Sequence, residues 1–374
     1  MTTVLVVNSG SSSLKYRLVD ADSGDAVAGG IVERIGEDGL DHTAAVAIML
    51  EEIGALLAER PPIAVGHRVV HGGDLFVAPT LITDAVEADI DALAELAPLH
   101  NPGALLGIRA ARRAFPALPH VAVFDTAFHQ TLPAPAYTYA IDAEVAREHR
   151  IRRYGFHGTS HQYVSEQAAA FLGRDLGELK QIVFHLGNGA SVTAVDGGRS
   201  VETSMGMTPL EGLVMGTRCG DLDPAIPLHL ARTAGLSIDD LDVLLNRRSG
   251  MLGLAGVSDM RDINERRDAG DAAASLAFDV YVHRLRAYAG AYLAQLGGVD
   301  VISFTAGVGE NAPRVRAAAM ATLGFAGVEI DDERNEAGSR DVRVISTDAS
   351  AVTVLVVPTD EELAIARLAR EFAT

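Results

Sequence analysis

Two stretches, Asn8-Ser-Gly-Ser-Ser-Ser-Leu-Lys15 and His185-Leu-Gly-Asn-Gly189, decide how the rest of this sequence reads. The first follows the apolar run Val4-Leu-Val-Val7 and leads into a second strand pattern at 15–19; the second closes the strand pattern 181–186 and leads into a returning strand at 191–195. Lined up on the turn, Val-Val-Asn-Ser-Gly of the first half lies over Phe-His-Leu-Gly-Asn-Gly of the second, so the chain repeats a strand–turn–strand device. The first turn offers backbone amides, hydroxyls and one ammonium to an anion, which suits a triphosphate. The second has glycines where backbone must approach phosphate closely.

Composition narrows the first turn further. The chain has 31 Lys plus Arg, yet only Lys15 and Lys180 are lysine. A compact point charge placed in this turn therefore favours phosphate over the alternative of a Ser/Gly hairpin with an exposed lysine. No Gly-x-x-x-x-Gly-Lys-Ser/Thr pattern occurs, so a phosphate loop opening a helix is not expected.

Outward from these turns the pattern alternates short apolar strands with amphipathic helices. Helical spacing runs over 84–96 and, after the Asn-Pro-Gly break at 101–103, over 104–115; residues 121–124 read as a buried strand ending in Asp125. In the second half, 272–295 is a long helix, 299–305 a strand, 306–311 a glycine turn, 312–323 a helix and 352–357 the last strand. The closing helix opens Thr359-Asp-Glu-Glu362, a capping box in which Thr359 caps and Glu362 reaches back, leaving Glu361 without a structural role. This is α/β grammar.

A chain of 374 residues with 48% hydrophobic residues suggests two domains, hence a cleft. A net charge of −19 works against nucleic acid or an anionic membrane as partner, so an anionic substrate must be held by local arginines. The lone Cys219 excludes a disulfide framework and a cysteine-rich zinc site within one chain. The opening Met-Thr-Thr-Val-Leu-Val-Val has no basic region and reads as a strand rather than a signal peptide, and no apolar run approaches the ~20 residues of a membrane span. The expectation is a soluble cytoplasmic protein.

Arginine and histidine segments form an anion-handling set. Arg68 stands at a strand end in His67-Arg-Val-Val-His-Gly-Gly73, Arg218 in the turn-rich Gly216-Thr-Arg-Cys-Gly-Asp-Leu-Asp-Pro224, His157 before a helix starting near Ser160, and Asp125 at a strand's carboxyl end. A surface salt bridge is the plainer reading of Arg68 taken singly. The pairs His157/His161 and His67/His71 have metal-like spacing but lack the glutamate of a zinc-hydrolase helix. Residues Gly307-Val-Gly-Glu-Asn-Ala312, with Asp331 and Asp332 about 20 residues on, also match a dinucleotide fingerprint, which keeps an oxidoreductase reading open.

Together the motifs at 7–15, 66–73, 124–129, 153–161, 185–191, 216–224, 258–262, 307–311 and 359–362 resemble the acetate kinase (acetokinase) family, and cover nearly the whole chain in order. That family belongs to the superfamily joining acetate kinases, sugar kinases, heat-shock chaperones and actin. The resemblance implies two duplicated ribonuclease H-like (actin-like ATPase) domains flanking an active-site cleft, the first over 1–148 completed by 359–374 and the second over 149–358. It implies reversible phosphorylation of acetate by ATP to acetyl phosphate, with propionate as a second or preferred acid, in a homodimer. The segment between 35 and 64 is short for the family and touches no motif.

The resemblance also implies roles. Asn8 and Glu361 would anchor Mg²⁺, with Mn²⁺ as an alternative, and Lys15 would bind nucleotide phosphate. His185, Leu186, Gly187, Asn188 and Gly189 would cradle phosphates of ATP or ADP, while Asp259, Met260 and Arg261 with Gly307, Val308, Gly309, Glu310 and Asn311 would hold the adenosine. Arg68 would bind the acetate carboxylate in a pocket of Val70, Leu99, Phe156 and Pro209. Arg218 and His157 would stabilise the phosphoryl group in flight, and Asp125 is the family's essential carboxylate. An ATPase switch acting on a protein partner would share the architecture without needing this acceptor set.

Overall fold

The computed structural model describes residues 2–37, 39–98 and 100–373. The chain divides into two compact units, one made of Met1–Gln130, Phe156–Ser160 and Asp360–Thr374, the other of Thr131–Gly155 and His161–Thr359. Among the described residues, no helix is long and apolar enough to cross a membrane.

The first unit is built on six strands, β1 Thr3–Ser9, β2 Ser13–Asp20, β3 Ala26–Glu33, β4 Ala64–Val69, β5 Thr80–Leu81 and β6 His120–Phe124. Their order across the sheet is β3-β2-β1-β4-β6-β5. The first three are antiparallel neighbours; β1, β4 and β6 run parallel, and β5 is an antiparallel edge. Parallel strands need crossovers, and helices supply them: His42–Glu59 between β3 and β4, Asn101–Ala114 before β6. Strand alternation then sorts the side chains. Leu5, Val7, Leu14, Tyr16 and Leu18 turn one way and join Met49, Ile53 and Ala110 in one core. Val6, Asn8, Gly66 and Arg68 fall on the other side, where the closing helix Glu361–Arg370 lies. Gly66 permits that contact: a Cβ there would come within 2.6 Å of the Ile365 side chain.

The second unit repeats the plan. Its strands are β7 Lys180–Leu186, β8 Ala190–Asp196, β9 Arg199–Thr203, β10 Val301–Thr305, β11 Arg343–Val344 and β12 Thr353–Val356, in the order β11-β12-β10-β7-β8-β9. Three antiparallel strands again precede two parallel ones, and the short edge strand again pairs antiparallel with the last. The long helix Ala272–Leu296 makes the crossover and packs on β7 and β8, and Phe184 stacks on Phe304 at 5.2 Å. The two sheets are one topology used twice, the duplicated ribonuclease H-like arrangement.

Two local readings are corrected. Residues 306–311 are not an open glycine turn but the helix Ala306–Asn311. Ala306 enters it in the left-handed region, φ 64°, and its amide is satisfied by the Glu310 carboxylate at 2.9 Å, so the segment closes on itself. The closing helix is capped not by Thr359 with Glu362 but by Asp360, whose carboxylate accepts from the Leu363 amide at 2.9 Å. The helix starts one residue later than the capping-box pattern requires, and Glu362 turns instead toward Arg17 at 3.9 Å.

Candidate active site

In the first unit the sheet lines up the polar residues. Asn8 pairs with Lys15 across the β1–β2 hairpin, Val7 pairs with His67, and Arg68 pairs with Val123. Asn8, Arg68 and Asp125 therefore leave the same end of three adjacent strands, the end where ligands bind in parallel sheets. The first turn of the closing helix adds acids to this row: Asp360 reaches Arg17 at 2.9 Å, and Glu361 stands 3.6 Å from Arg68 Nε.

Arg68 is the centre of the row. Its Nε donates to Asp125 Oδ1 at 2.9 Å and its Nη2 to Asp125 Oδ2 at 2.7 Å, a two-pronged grip. Burial works against the guanidinium charge, but Asp125 and Glu361 outweigh it and hold Arg68 firmly ionised. Asp125 itself is 1% exposed. Its backbone carbonyl accepts from the Gly158 amide at 2.8 Å, and a Cβ at Gly158 would come within 2.3 Å of that oxygen. Only glycine lets the start of the helix Gly158–Leu172 approach the β6 end so closely. The residue before it, His157, sits at φ 56°, a strained backbone for a side-chain-bearing residue and one that recurs at functional sites. Phe156 is buried beside it, ring edge to His71 at 5.5 Å, with its carbonyl accepting from His129 Nε2 at 3.0 Å. Val70 is half-buried next to this strand end. Leu99 lies outside the described residues.

In the second unit Arg218 rises from the loop 212–221. It is half-buried, donates to the Pro209 carbonyl at 3.2 Å and contacts the Met215 sulfur at 3.7 Å. Among the described residues it has no carboxylate partner, and burial lowers its pKa. The same loop is fastened to the glycine turn by Gly216 N donating to Asn188 O at 2.9 Å.

That turn borders a cavity of about 650 Å³ lying wholly in this unit. Gly187 and Asn188 lie on one stretch of its wall, with Asp259, Met260 and Arg261 on another and Gly307, Val308 and Asn311 on a third. The helix Met260–Asp268 starts there under its cap Asp259, whose carboxyl is held down to about 2, chiefly by the hydrogen bond from Arg261. Five of the nucleotide-site residues expected in this unit do not line it. His185 and Leu186 are buried in β7, Gly189 closes the turn through its carbonyl to Gly187 N, Gly309 packs against the end of β10, and the Glu310 carboxylate is turned back onto the Ala306 amide. Missed by the sequence reading were Asn264, Glu265, Asp268 and Arg314. The signal was present in part: positions 261, 264, 265 and 268 follow the i, i+3, i+4, i+7 rule for one helix face.

The dinucleotide fingerprint dissolves at this point. Asp331 is spent as the cap of the helix Asp332–Glu336, accepting from the Arg334 amide at 3.0 Å. Among the described residues no three His, Cys, Asp or Glu side chains cluster as a metal cage. Asn8 and Glu361 offer two hard oxygens, a donor set that fits a cation bound mainly through a nucleotide's phosphates and water.

Comparison with known proteins matches this architecture along its whole length. A relative from Leifsonia xyli subsp. xyli, described as an acetate kinase, is 63% identical over 390 residues, covering 99% of this chain and 98% of its own. The crystal structure of Porphyromonas gingivalis acetate kinase superposes with a TM-score of 0.96 at 41% identity, covering 100% of both chains. A propionate kinase from Francisella tularensis subsp. tularensis SCHU S4 superposes with a TM-score of 0.94 at 38% identity, covering 99% of this chain and 100% of its own. With the acetokinase family model matching residues 37–367 as well, the chain belongs to the acetokinase family.

Proposed function

We propose that this enzyme is an acetate kinase, which transfers the γ-phosphoryl group of ATP to acetate, giving acetyl phosphate and ADP, reversibly. The observation that carries the reading is Arg68, oriented by Asp125 through two bonds and backed by Glu361, at the sheet end that also carries Asn8 and Lys15. Asp125 and Glu361 occupy the Nε side of the guanidinium, and the remaining edge is turned to the acetate carboxylate.

Val70 and Phe156 of the first unit receive the acid's methyl group, and the cavity beside Asp259–Arg261 and Gly307–Asn311 holds adenosine. Lys15 and the Gly187–Gly189 turn take the phosphates. A divalent metal, Mg²⁺ in preference to Mn²⁺, is held through Asn8 and Glu361; its chemistry is to draw charge off the phosphate oxygens. In such in-line transfer the charge spreads over equatorial oxygens, so catalysis is positioning and cationic stabilisation. Arg218, which has no carboxylate partner among the described residues, and His157 supply that stabilisation. Asp125 acts by fixing Arg68 rather than as a base, since a carboxylic acid is already ionised near neutral pH.

The enzyme works in the cytoplasm as a homodimer. Supporting the dimer, the helices Ala225–Thr233 and Ile238–Arg247 have no buried residue, and Ile226, Leu228, Ile238 and Val243 stand exposed on them. Incubation with Mg-ATP and acetate, followed by hydroxylamine, traps acyl phosphate as a hydroxamate. No hydroxamate with any acid from acetate to butyrate would sink the reading, and faster product with propionate than with acetate would change the substrate assignment.

A further inference from the structure

The loop that carries Arg218 is closed at its base by one carboxylate. Asp221 Oδ1 accepts from the Gly212 amide at 2.9 Å, and the Asp221 amide donates back to the Gly212 carbonyl at 2.9 Å, so residues 212 and 221 form a two-bond clasp. The other carboxylate oxygen, Oδ2, accepts from the Tyr288 hydroxyl at 2.9 Å and from Arg284 Nη1 at 3.4 Å, both on the long helix Ala272–Leu296. Within the loop, Met215 N donates to the Arg218 carbonyl at 3.2 Å, and near its tip Gly216 N reaches Asn188 of the phosphate turn. No reacting group needs Asp221 for its chemistry. Its bonds run from the long helix to the base of the loop, whose upper part is held by Gly216 N on the phosphate turn and by residues 245–252, where Cys219 N donates to Leu245 O at 3.1 Å, Ser249 N to Thr217 O at 3.0 Å and Met251 N to Met215 O at 2.9 Å.

We infer that Asp221 and Tyr288 are positioning residues for Arg218: the hydroxyl–carboxylate bond ties the 212–221 loop to the long helix and sets the arginine where the transferred phosphoryl group passes. Charge-assisted bonds inside a half-buried network are the strong ones, and a catalytic cation displaced by about 1 Å costs on the order of 10²-fold in rate. The inference rests on the role proposed above for Arg218, and the test separates the two.

The test is a cycle built on Tyr288→Phe, which removes only the hydroxyl, and Arg218→Lys, with Asp221→Asn as a second probe of the same bond. Tyr288→Phe is expected to lower kcat about tenfold or more with KM for ATP and for acetate each within about threefold of the parent. In the Arg218→Lys background the same change is expected to cost under threefold, because a lysine no longer depends on the loop's fine placement. Arg218→Lys with undiminished kcat would remove the premise. Equal fractional losses in both backgrounds, or a loss confined to KM, would overturn the inference while leaving the role of Arg218 standing. If Tyr288→Phe fails to fold, Asp221→Asn takes its place in the cycle, judged by the same outcomes.

Discussion

Arg68 holds Asp125 by two parallel hydrogen bonds, Nε to Oδ1 at 2.9 Å and Nη2 to Oδ2 at 2.7 Å, with the carboxylate almost fully buried. The bond is a consequence of the sheet: β4 and β6 are parallel neighbours in which Val69 pairs with Phe124, so the residues flanking that pair end on one side together. A buried carboxylate is stable here because the arginine is, and the arginine points one way because the carboxylate does.

From that pair the first prediction follows. Arg68→Ala is expected to raise KM for acetate on the order of 10²-fold while KM for ATP changes little, since only the acid loses its partner. Asp125→Asn keeps the shape but removes the charge that aims Arg68, and should lower kcat/KM for acetate by a similar ~10²-fold, within the 2–5 kcal/mol expected for breaking a buried charged pair. Steady-state kinetics with both substrates varied decide it; equal effects on the two KM values would make Arg68 a structural arginine.

A second prediction separates two adjacent acids. Asp360 caps the closing helix, so Asp360→Ala should cost about 1 kcal/mol of stability and lower Tm. Glu361 makes no capping bond and stands 3.6 Å from Arg68, so Glu361→Gln should leave Tm within a degree or two of the parent yet raise the Mg²⁺ concentration needed for half-maximal rate. A Glu361→Gln enzyme with unchanged metal dependence would take that residue out of the metal site.

These two acids also mark what could be read from sequence and what could not. Strand runs such as 181–186 and turn residues such as those at 187–189 are local patterns, and the structure has them where the patterns fall. The duplication was legible for the same reason, because each half repeats the pattern around its own turn. The helix start at Glu361 was not, since Thr359 and Asp360 are both good caps and the choice between them depends on Arg17, 343 positions away, which binds Asp360. The helical fold of 306–311 depended likewise on Glu310 bending back to its own segment's amide, a contact that glycine spacing does not encode. Asn264 and Arg314 were missed because a cavity wall gathers residues from separate elements, and only the 261/264/265/268 face carries a periodic trace.

A third prediction concerns association. The helices Ala225–Thr233 and Ile238–Arg247 expose Leu228 (55%) and Ile238 (85%), apolar area that a soluble monomer seldom leaves open together. For the homodimer proposed above, Leu228→Glu with Ile238→Glu should give monomer in sedimentation velocity at micromolar concentration where the parent gives dimer. A double variant that remains dimeric would place the interface elsewhere.

The last prediction rests on His67 and His120, buried side by side in β4 and β6 with His67 Nε2 and His120 Nδ1 2.9 Å apart. His120 Nε2 donates to the Phe115 carbonyl at 3.1 Å, which leaves Nδ1 as the acceptor and makes His67 the donor. Burial is the main force lowering both pKa values, joined for His67 by the neighbouring His120 and Arg112; Arg112 also disfavours charge on His120, against the opposing Phe115 bond. The sign follows directly. Both groups bind protons less readily folded than unfolded, so their contribution is intact above the unfolded value near 6.5 and is lost as pH falls below it toward the folded values, by up to ~1.4 kcal/mol per unit of depression. A proton on His120 Nδ1 would also set two N–H groups against each other. The parent protein's Tm should therefore fall between pH 7.5 and 5, and fall less steeply in His120→Gln, whose side chain does not titrate. The comparison is of slopes, so a uniformly less stable variant still answers it. Parallel Tm curves for the two proteins would mean that this pair does not govern acid stability.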